Sequence, residues 1–298
     1  MKNSIYIIIP VHNRKEFTRN CLLSLRKQTY KEFKIVIIDD GSTDGTAEML
    51  ENEFPEVHVI KGDGNLWWTA ATNLGVKYAL ENNADYILTL NNDTIATEEF
   101  LEKMIYWAKK TPNALLGAFA IDADTKKPVY GGEIINWKWA NSKFLLDILP
   151  KEQWHGLHEV THFPGRGLLI PADVFRKIGL YNQKHFPHYA ADYDFTLRAC
   201  KEGYKIFCNY EAKIYIFPNC SSSEEIRNNF SFINYLKHLT SIKGSGNIKI
   251  FIIYSLKHCP RIYLINYLII GLLKRFLGMP LKSLKKYISK INEYILIK

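Results

Sequence analysis

The residues Tyr86-Ile87-Leu88-Thr89-Leu90 form a short apolar run that breaks off in Asn91-Asn92-Asp93. A run of this length, rich in β-branched and aromatic residues, predicts a buried strand. Polar groups at the carboxyl end of such a strand sit where open α/β sheets bind ligands. Asp93 is a hard oxygen donor on a rigid element and suits Mg²⁺ or Mn²⁺ carrying a diphosphate. By itself the same triplet, with Thr94, also reads as a turn and helix cap. A second acidic group follows another apolar run, where Phe33–Ile38 leads into Asp39-Asp40-Gly41-Ser42-Thr43-Asp44-Gly45-Thr46. Two adjacent carboxylates after a buried strand are costly unless they bind something. They can accept hydrogen bonds from a nucleobase imide or ribose hydroxyls; a turn and cap is again the alternative. In a third loop, Gly62-Asp63-Gly64-Asn65-Leu66-Trp67, the glycines suggest a dinucleotide fingerprint. Trp67 stands where the third glycine belongs and the loop follows a third strand, which excludes a nicotinamide site. Its backbone amides, with Asn65 and Asn73, can face phosphates at a helix start.

These loops need a scaffold, and the hydrophobic pattern supplies one. Ile5–Ile9, Phe33–Ile38, Val57–Ile60, Tyr86–Leu90 and Ala114–Ile121 read as strands. Between them Lys15–Gln28, Thr46–Glu53, Trp68–Asn82 and Glu98–Lys110 read as helices. Strand, polar loop and helix in repetition is the signature of an open parallel sheet with right-handed crossovers. It brings the four loops to one edge. The stretch Asp122–Val160 is irregular and carries Trp137, Trp139, Phe144 and Trp154, either for stacking on carbohydrate or as the core of an insertion.

Ile9-Pro10-Val11-His12-Asn13, then Ile38–Thr46, then Gly64-Asn65 through Asn73-Leu74-Gly75, then Asn91-Asn92-Asp93 resemble, in this order, the motifs of the inverting family 2 nucleotide-sugar glycosyltransferases. The resemblance covers about residues 4–220, and Gly64–Thr69 is similar to the rhamnosyltransferase-like branch. It implies a GT-A (Rossmann-like) fold, an open and mostly parallel sheet flanked by helices. It also implies that Pro10, His12, Asn13, Asp39, Asp40, Gly64, Asn65, Asn73, Asn91, Asn92 and Arg166 serve the nucleotide and donor. The Asn-Asn-Asp triplet is similar to the family's Asp-x-Asp metal motif with its first acid replaced by Asn91. Asp93 is then the expected ligand of Mg²⁺ or Mn²⁺, with Asn91 assisting.

Thr161–Pro171 resembles the family's glycine-containing segment near the acceptor and donor sugar, with Arg166 either exposed or facing the diphosphate. His188–Ala199 occupies the place of the family's Glu-Asp-x-Asp, with Ala191 for the first acid, so Asp192 aligns with the general base. Either Asp192 or Asp194 also reads as a cap of the following helix. Trp67, Trp68, Gly165 and Tyr193 fall on the acceptor side of the resemblance. In relatives a later strand often carries a His that reaches the metal; Ile214–Asn219 occupies that place without one. His185 and His188 are substitutes or structural residues. The implied reaction is an inverting transfer from a nucleotide diphosphate sugar, of the dTDP-rhamnose or UDP-hexose type, to a hydroxyl of a glycan or lipid-linked acceptor in surface polysaccharide assembly. With Asn91 and Ala191 in place of acids, an inactive assembly partner of the same fold is the alternative.

The hydrophobic content of 47% supports a sizeable core and excludes general disorder. Five cysteines (Cys21, Cys200, Cys208, Cys220 and Cys259) form no CxxC pair and predict reduced thiols. Met1–Ser4 leads straight into a strand, which does not read as a signal peptide. From Ile242 to Lys298 there are eleven Lys/Arg and one acid, whereas the residues before carry a net charge of −1. The chain therefore divides into a catalytic domain over 1–228 and a basic, amphipathic helical region over 229–298. Within the latter Phe230–Leu239 and Ile248–Leu256 read as helices, and the apolar run Tyr263–Leu273 is eleven residues long. That is short of the ~20 residues that span a bilayer. An interfacial anchor on an anionic membrane surface is expected, at the inner face of the cytoplasmic membrane, with packing on the catalytic domain or in a homo-oligomer as the alternative. The neutral body argues against a nucleic-acid-binding protein.

Overall fold

The computed structural model describes residues 4–218 and 231–296, so Asn219, Cys220 and Phe230 lie outside the described residues. In chain order the elements are β1 (Ile5–Val11), α1 (Lys15–Arg26), β2 (Phe33–Asp39), α2 (Thr46–Glu53), β3 (His58–Lys61), α3 (Trp67–Glu81), β4 (Tyr86–Thr89), β5 (Thr94–Ala96) and α4 (Phe100–Lys110). There follow β6 (Ala114–Asp122), β7 (Pro128–Tyr130), β8 (Glu133–Asn136), β9 (Asn141–Phe144), α5 (Leu145–Ile148), β10 (Leu157–Glu159), β11 (Leu168–Pro171), α6 (Ala172–Ile178), α7 (Ala191–Lys201) and β12 (Lys205–Ile216). The last three are α8 (Phe232–Thr240), α9 (Ile248–His258) and α10 (Leu264–Leu296). The chain divides into two units, one of Met1–Ile135 with Ser142–Pro218 and one of Asn136–Asn141 with Asn219–Lys298.

In the first unit the sheet runs β3-β2-β1-β4-β11-β6-β12-β10, with β5 on β12 and β7 on β6. Strands β3, β2, β1 and β4 are parallel neighbours, and β12 is parallel to β6. Only β11 interrupts the run, antiparallel to both β4 and β6. The centre of this sheet is covered on both faces, which is why Ile5, Ile7, Ile8 and Ile9 are continuous apolar residues and fully buried. The register sets Val11 opposite Asp39 and Asp39 opposite Lys61. The loops after β1, β2 and β3 thus leave from one edge, joined by the loop after β4. Chain order reverses on either side of β1, and the crevice at such a reversal is where doubly wound sheets take ligands.

Two sequence expectations change here. Residues Thr94–Ala96 form β5, paired antiparallel with β12, so Asn91–Thr94 is not the cap of a following helix. The stretch read as irregular, Asp122–Val160, contributes β7 and β10 to the main sheet and the β8–β9 ribbon beside it. Each strand there is three or four residues long, too short to show an alternating pattern.

In the second unit Trp137 packs against Tyr267 and Tyr254, with ring centroids 5.2 and 6.3 Å apart. Lys274 Nζ donates to the carbonyls of Trp139 and Ala140 at 2.8 and 3.1 Å. Trp137 is thus a packing residue. The Arg275 guanidinium lies 3.6 Å from the centre of the Phe251 ring, beside Gly271, where a Cβ would meet the same ring. The helix does not stop where the apolar run was counted to end. Arg261–Leu281 is a 21-residue stretch long and apolar enough, by length and composition, to cross a membrane. The eleven-residue count stopped at Lys274 and Arg275, which the helix carries within a longer apolar span.

Candidate active site

The loop after β1 turns through two consecutive left-handed residues, Asn13 and Arg14, at φ 60° and 64°. Non-glycine residues hold that conformation only where their surroundings fix it. Here Asn13 N donates to Ser42 Oγ at 2.7 Å, and Asn13 Oδ1 accepts from Thr43 N at 2.9 Å. His12 Nδ1 lies 2.6 Å from the Asp40 carbonyl. The β1 and β2 loops are laced together, with Pro10 at the root of the turn. The turn delivers Arg14 to Asp93, with Nη1 donating to Oδ2 at 3.0 Å. Sequence reasoning missed Arg14; the signal was a cation placed directly after Pro10–Asn13.

Asp39 and Asp40 are both buried, and the fold uses their oxygens to build loops. Asp39 Oδ1 accepts from Ser42 N at 3.1 Å. Asp40 Oδ1 accepts from Gly64 N at 2.8 Å, and its Oδ2 from Leu66 N and Trp67 N at 3.0 and 3.2 Å. Asp40 therefore shapes the turn that starts α3, where unsatisfied backbone N–H groups need an acceptor. Gly64, at φ 89°, and Gly41 pack so closely that a Cβ on Gly41 would sit 3.0 Å from Gly64. Asn65 stands exposed at the lip of this turn.

Two expected donor contacts are structural instead. Asn73 is buried in α3, its Nδ2 donating to the Tyr181 carbonyl and Gln183 Oε1 and its Oδ1 accepting from Tyr181 N. Those bonds tie α3 to residues 181–183 and engage both the nitrogen and the oxygen of the amide. Asn92 is buried and donates to Thr18 Oγ1 at 3.0 Å, which fastens the β4 loop to α1. Between Asn92 and its neighbours the roles divide. Asn91 accepts from the Trp68 indole Nε1 at 3.1 Å, and Asp93 faces Arg14.

Asp192 is the second residue of α7, which starts after Ala190, itself left-handed at φ 67°. Its Oδ2 accepts from Gly165 N and its Oδ1 from Tyr193 N, both at 2.9 Å. Burial pushes its carboxyl above the usual carboxylate range, and the two N–H donors hold the rise back. Such a group is a stronger base than an exposed aspartate and keeps a fixed aim. Asp194 is fully buried and paired with Arg198 at 2.9 Å, which leaves it a structural role.

Trp68 joins the two halves of the edge. Its ring packs on Gly165, where a Cβ would come within 2.3 Å of it, while its Nε1 holds Asn91. Asn91, Trp68, Gly165 and Asp192 thus form one continuous chain of contacts. Trp67, strained at φ 57°, sets its ring edge-on to His188 at 5.9 Å. Arg166 lies 5.8 Å from the Tyr130 ring centre, and its Nε is buried with no hydrogen-bond partner among the described residues. Tyr193 turns inward, its hydroxyl donating to Glu133 Oε1 at 3.1 Å. Glu133 was not foreseen. It lies in the stretch read as irregular, and nothing in its neighbours marks it.

No group of three His, Cys, Asp or Glu side chains that could hold a metal occurs among the described residues, and neither His185 nor His188 joins Asp93 in one. The donor set is one carboxylate, Asp93, with an amide oxygen at Asn91. That fits Mg²⁺ or Mn²⁺ of the kind bound by one or two carboxylates with the rest of the shell from substrate phosphates and water. It does not fit a cage assembled by the protein alone.

Comparison with known proteins shows the family and the fold. The family model for glycosyl transferase family 2 matches residues 6–168, more than half of the chain. The chain is 25% identical over 211 residues to the low-salt glycan biosynthesis hexosyltransferase Agl10 of Haloferax volcanii, covering 69% of this chain and 64% of that protein. It is 21% identical to the glycosyltransferase GlyG of Streptococcus pneumoniae, covering 67% of each. An uncharacterized glycosyltransferase of Haemophilus influenzae is 23% identical over 97% of both chains. Among solved structures, Staphylococcus aureus TarS 1-349 in complex with UDP superposes with a TM-score of 0.55 at 17% identity, over 85% of this chain and 75% of that one. GalNAc-T7 with UDP, GalNAc and Mn²⁺ gives 0.57 at 16%, over 72% and 43%. These likenesses fix the fold as GT-A. With its motifs in order along one sheet edge and the family model spanning β1 to the start of β11, this chain belongs to glycosyl transferase family 2.

Proposed function

We propose that the protein is an inverting glycosyltransferase that moves a sugar from a nucleotide diphosphate donor to a hydroxyl of a glycan or lipid-linked acceptor. The observation that carries this reading is Asp192. Its carboxylate is raised by burial, aimed by two N–H groups at 2.9 Å, and linked through Gly165 and Trp68 to Asn91 beside Asp93. In the proposed step the acceptor oxygen forms a bond to the anomeric carbon as the bond to the diphosphate breaks. The hydroxyl proton passes to Asp192, and the electron pair leaves with the diphosphate. A single in-line displacement inverts the anomeric centre.

The β1–β3 loops, built by Asp39, Asp40 and Asn13, hold the nucleotide. Asp93, with Asn91, would hold Mg²⁺ or Mn²⁺, which when bound neutralises charge developing on the leaving diphosphate. Arg14, whose Nη1 pairs with Asp93 Oδ2, would supply a second positive charge beside the leaving diphosphate. UDP in the two solved neighbours and the hexosyltransferase relative support a UDP-hexose; the likeness of Gly64–Thr69 to the rhamnosyltransferase-like branch keeps dTDP-rhamnose in view. A thermal-shift panel of UDP-hexoses and dTDP-rhamnose with Mn²⁺ identifies the donor. Failure of every nucleotide sugar to raise the melting temperature would count against the reading.

For the second unit we propose an anionic membrane surface as the partner, at the inner face of the cytoplasmic membrane. Ile265, Ile269, Leu273 and Phe276 recur at helical spacing along α10 and are exposed. Lys274 and Arg275 interrupt the apolar stretch and would be costly deep in a bilayer, and residues 242–298 carry a large excess of positive charge. Both features favour lying on the membrane over crossing it.

A further inference from the structure

The Asp192 carboxylate is held by N–H groups from two separate segments, Gly165 on one side and Tyr193 on the other. Each segment also sends a side chain to a third point. His162 Nε2 and Tyr193 Oη both lie 3.1 Å from Glu133 Oε1, and Tyr130 Oη donates to the same oxygen at 3.3 Å. The His162 and Tyr193 rings meet edge to face at 4.2 Å. The backbones are joined as well: Glu133 bridges His162, and Thr161 N donates to the Glu133 carbonyl at 3.2 Å.

Glu133 is 6% exposed and His162 2%. A carboxylate buried to that degree is a poor device for stability alone, since apolar residues of similar volume commonly serve as well or better. Burial pushes the Glu133 carboxyl up, but the hydrogen bond and electrostatic pull of His162, with the hydrogen bonds from Ser142 and Tyr193, more than offset this and hold it below the usual range. It stands as a charge with a defined set of donors.

We propose that Glu133 is a positioning residue for sugar transfer, the clamp that fixes the two segments whose N–H groups aim Asp192. The inference rests on the reading of Asp192 as the base. Without the clamp the His162–Gly165 segment and the start of α7 lose their shared side-chain anchor and keep the Phe163 N to Thr196 Oγ1 bond at 3.3 Å, so the carboxylate loses part of its aim while the nucleotide loops after β1, β2 and β3 are untouched. A loss of aim lowers turnover without weakening donor binding, because small displacements of a catalytic group are costly to rate.

The test is hydrolysis of whichever donor the panel of UDP-hexoses and dTDP-rhamnose selects. Water serves as acceptor, which removes any part Tyr193 plays in holding a sugar acceptor. Glu133→Gln, Tyr193→Phe, the double variant and Asp192→Asn are compared for kcat, donor KM and UDP affinity. The expected result is a tenfold or greater fall in kcat for Glu133→Gln and a smaller fall for Tyr193→Phe. Donor KM and UDP affinity should stay within twofold, and the double variant should be no worse than Glu133→Gln, since the two act through one contact. Full kcat in folded Glu133→Gln, or effects that multiply in the double variant, overturns the inference. Should Glu133→Gln not fold, Tyr193→Phe decides alone, because it removes one hydroxyl and keeps the ring. A reduced kcat supports the clamp and an unchanged one overturns it. Asp192→Asn separates the two ideas. If it retains turnover, the base assignment has failed; if it is dead while Glu133→Gln is fully active, only the clamp has.

Discussion

Arg14 Nη1 donates to Asp93 Oδ2 at 3.0 Å, an ion pair between two loops that lie 79 residues apart in sequence. It sets the candidate metal ligand beside a fixed cation and gives Asp93 a partner before any metal arrives. Partly exposed pairs of this kind contribute about 0–1 kcal/mol. Arg14→Gln should therefore strengthen the binding of Mn²⁺ alone, by no more than about fivefold. It should weaken donor binding in the presence of Mn²⁺, since a positive charge on the diphosphate is gone. Asp93→Ala should abolish metal-dependent donor binding. Titration calorimetry with Mn²⁺, then with UDP and Mn²⁺, checks both; undiminished UDP binding in Asp93→Ala would remove the metal assignment.

The raised carboxyl of Asp192 has a consequence for pH. A base works deprotonated, so activity is present above its folded-state pKa and falls as the pH drops through it. Because burial moves that pKa upward, the acid limb of kcat should lie above the ordinary carboxylate range of about 4. A limb at or below that range would mean either that Asp192 is better solvated than its surroundings indicate or that it is not the base.

Gly165 has no room for a side chain. A Cβ there would approach Trp68 Cζ2 to 2.3 Å. Gly165→Ala should cost roughly 1–3 kcal/mol through overpacking and lower turnover by displacing the N–H that holds Asp192. Pairing it with Trp68→Leu should recover part of the melting temperature, which differential scanning calorimetry would show. An additive loss would mean that the contact is not the cause.

The arrangement of the site was legible where local pattern and long-range position agree. Strands β1, β2 and β4 announce themselves because burial on both faces demands continuous apolar residues, and Asp39, Asp40 and Asp93 stand out at their ends. The family resemblance pointed to Asp192. What the sequence concealed depends on partners far along the chain. Nothing local distinguishes an asparagine facing a phosphate from Asn73, whose partners lie more than 100 residues away. Strand β5 is three residues long and exists because β12 is beside it. Glu133 gains its meaning only when His162 and Tyr193 reach it. The apolar helical span Arg261–Leu281 is longer than an unbroken apolar run shows, because Lys274 and Arg275 lie inside it.

For the second unit, the full chain should sediment with vesicles containing phosphatidylserine and much less with pure phosphatidylcholine. Changing Ile265, Ile269 and Leu273 together to Ser should release it, with the donor-binding unit unaffected. Equal binding to both lipids that resists high salt would point instead to insertion across the bilayer. A concentration-dependent dimer with no lipid binding would assign the apolar face to a second copy.

The central claim is that Asp192 takes the proton in transfer. It is tested most directly by comparing Asp192→Asn with the wild type for turnover of the donor and for UDP affinity in Mn²⁺. Loss of a general base removes about 10²–10⁴ of rate, so kcat should fall by at least a hundredfold while UDP binds as before. Turnover that survives the substitution, or a loss of UDP affinity equal to the loss of rate, would contradict the account.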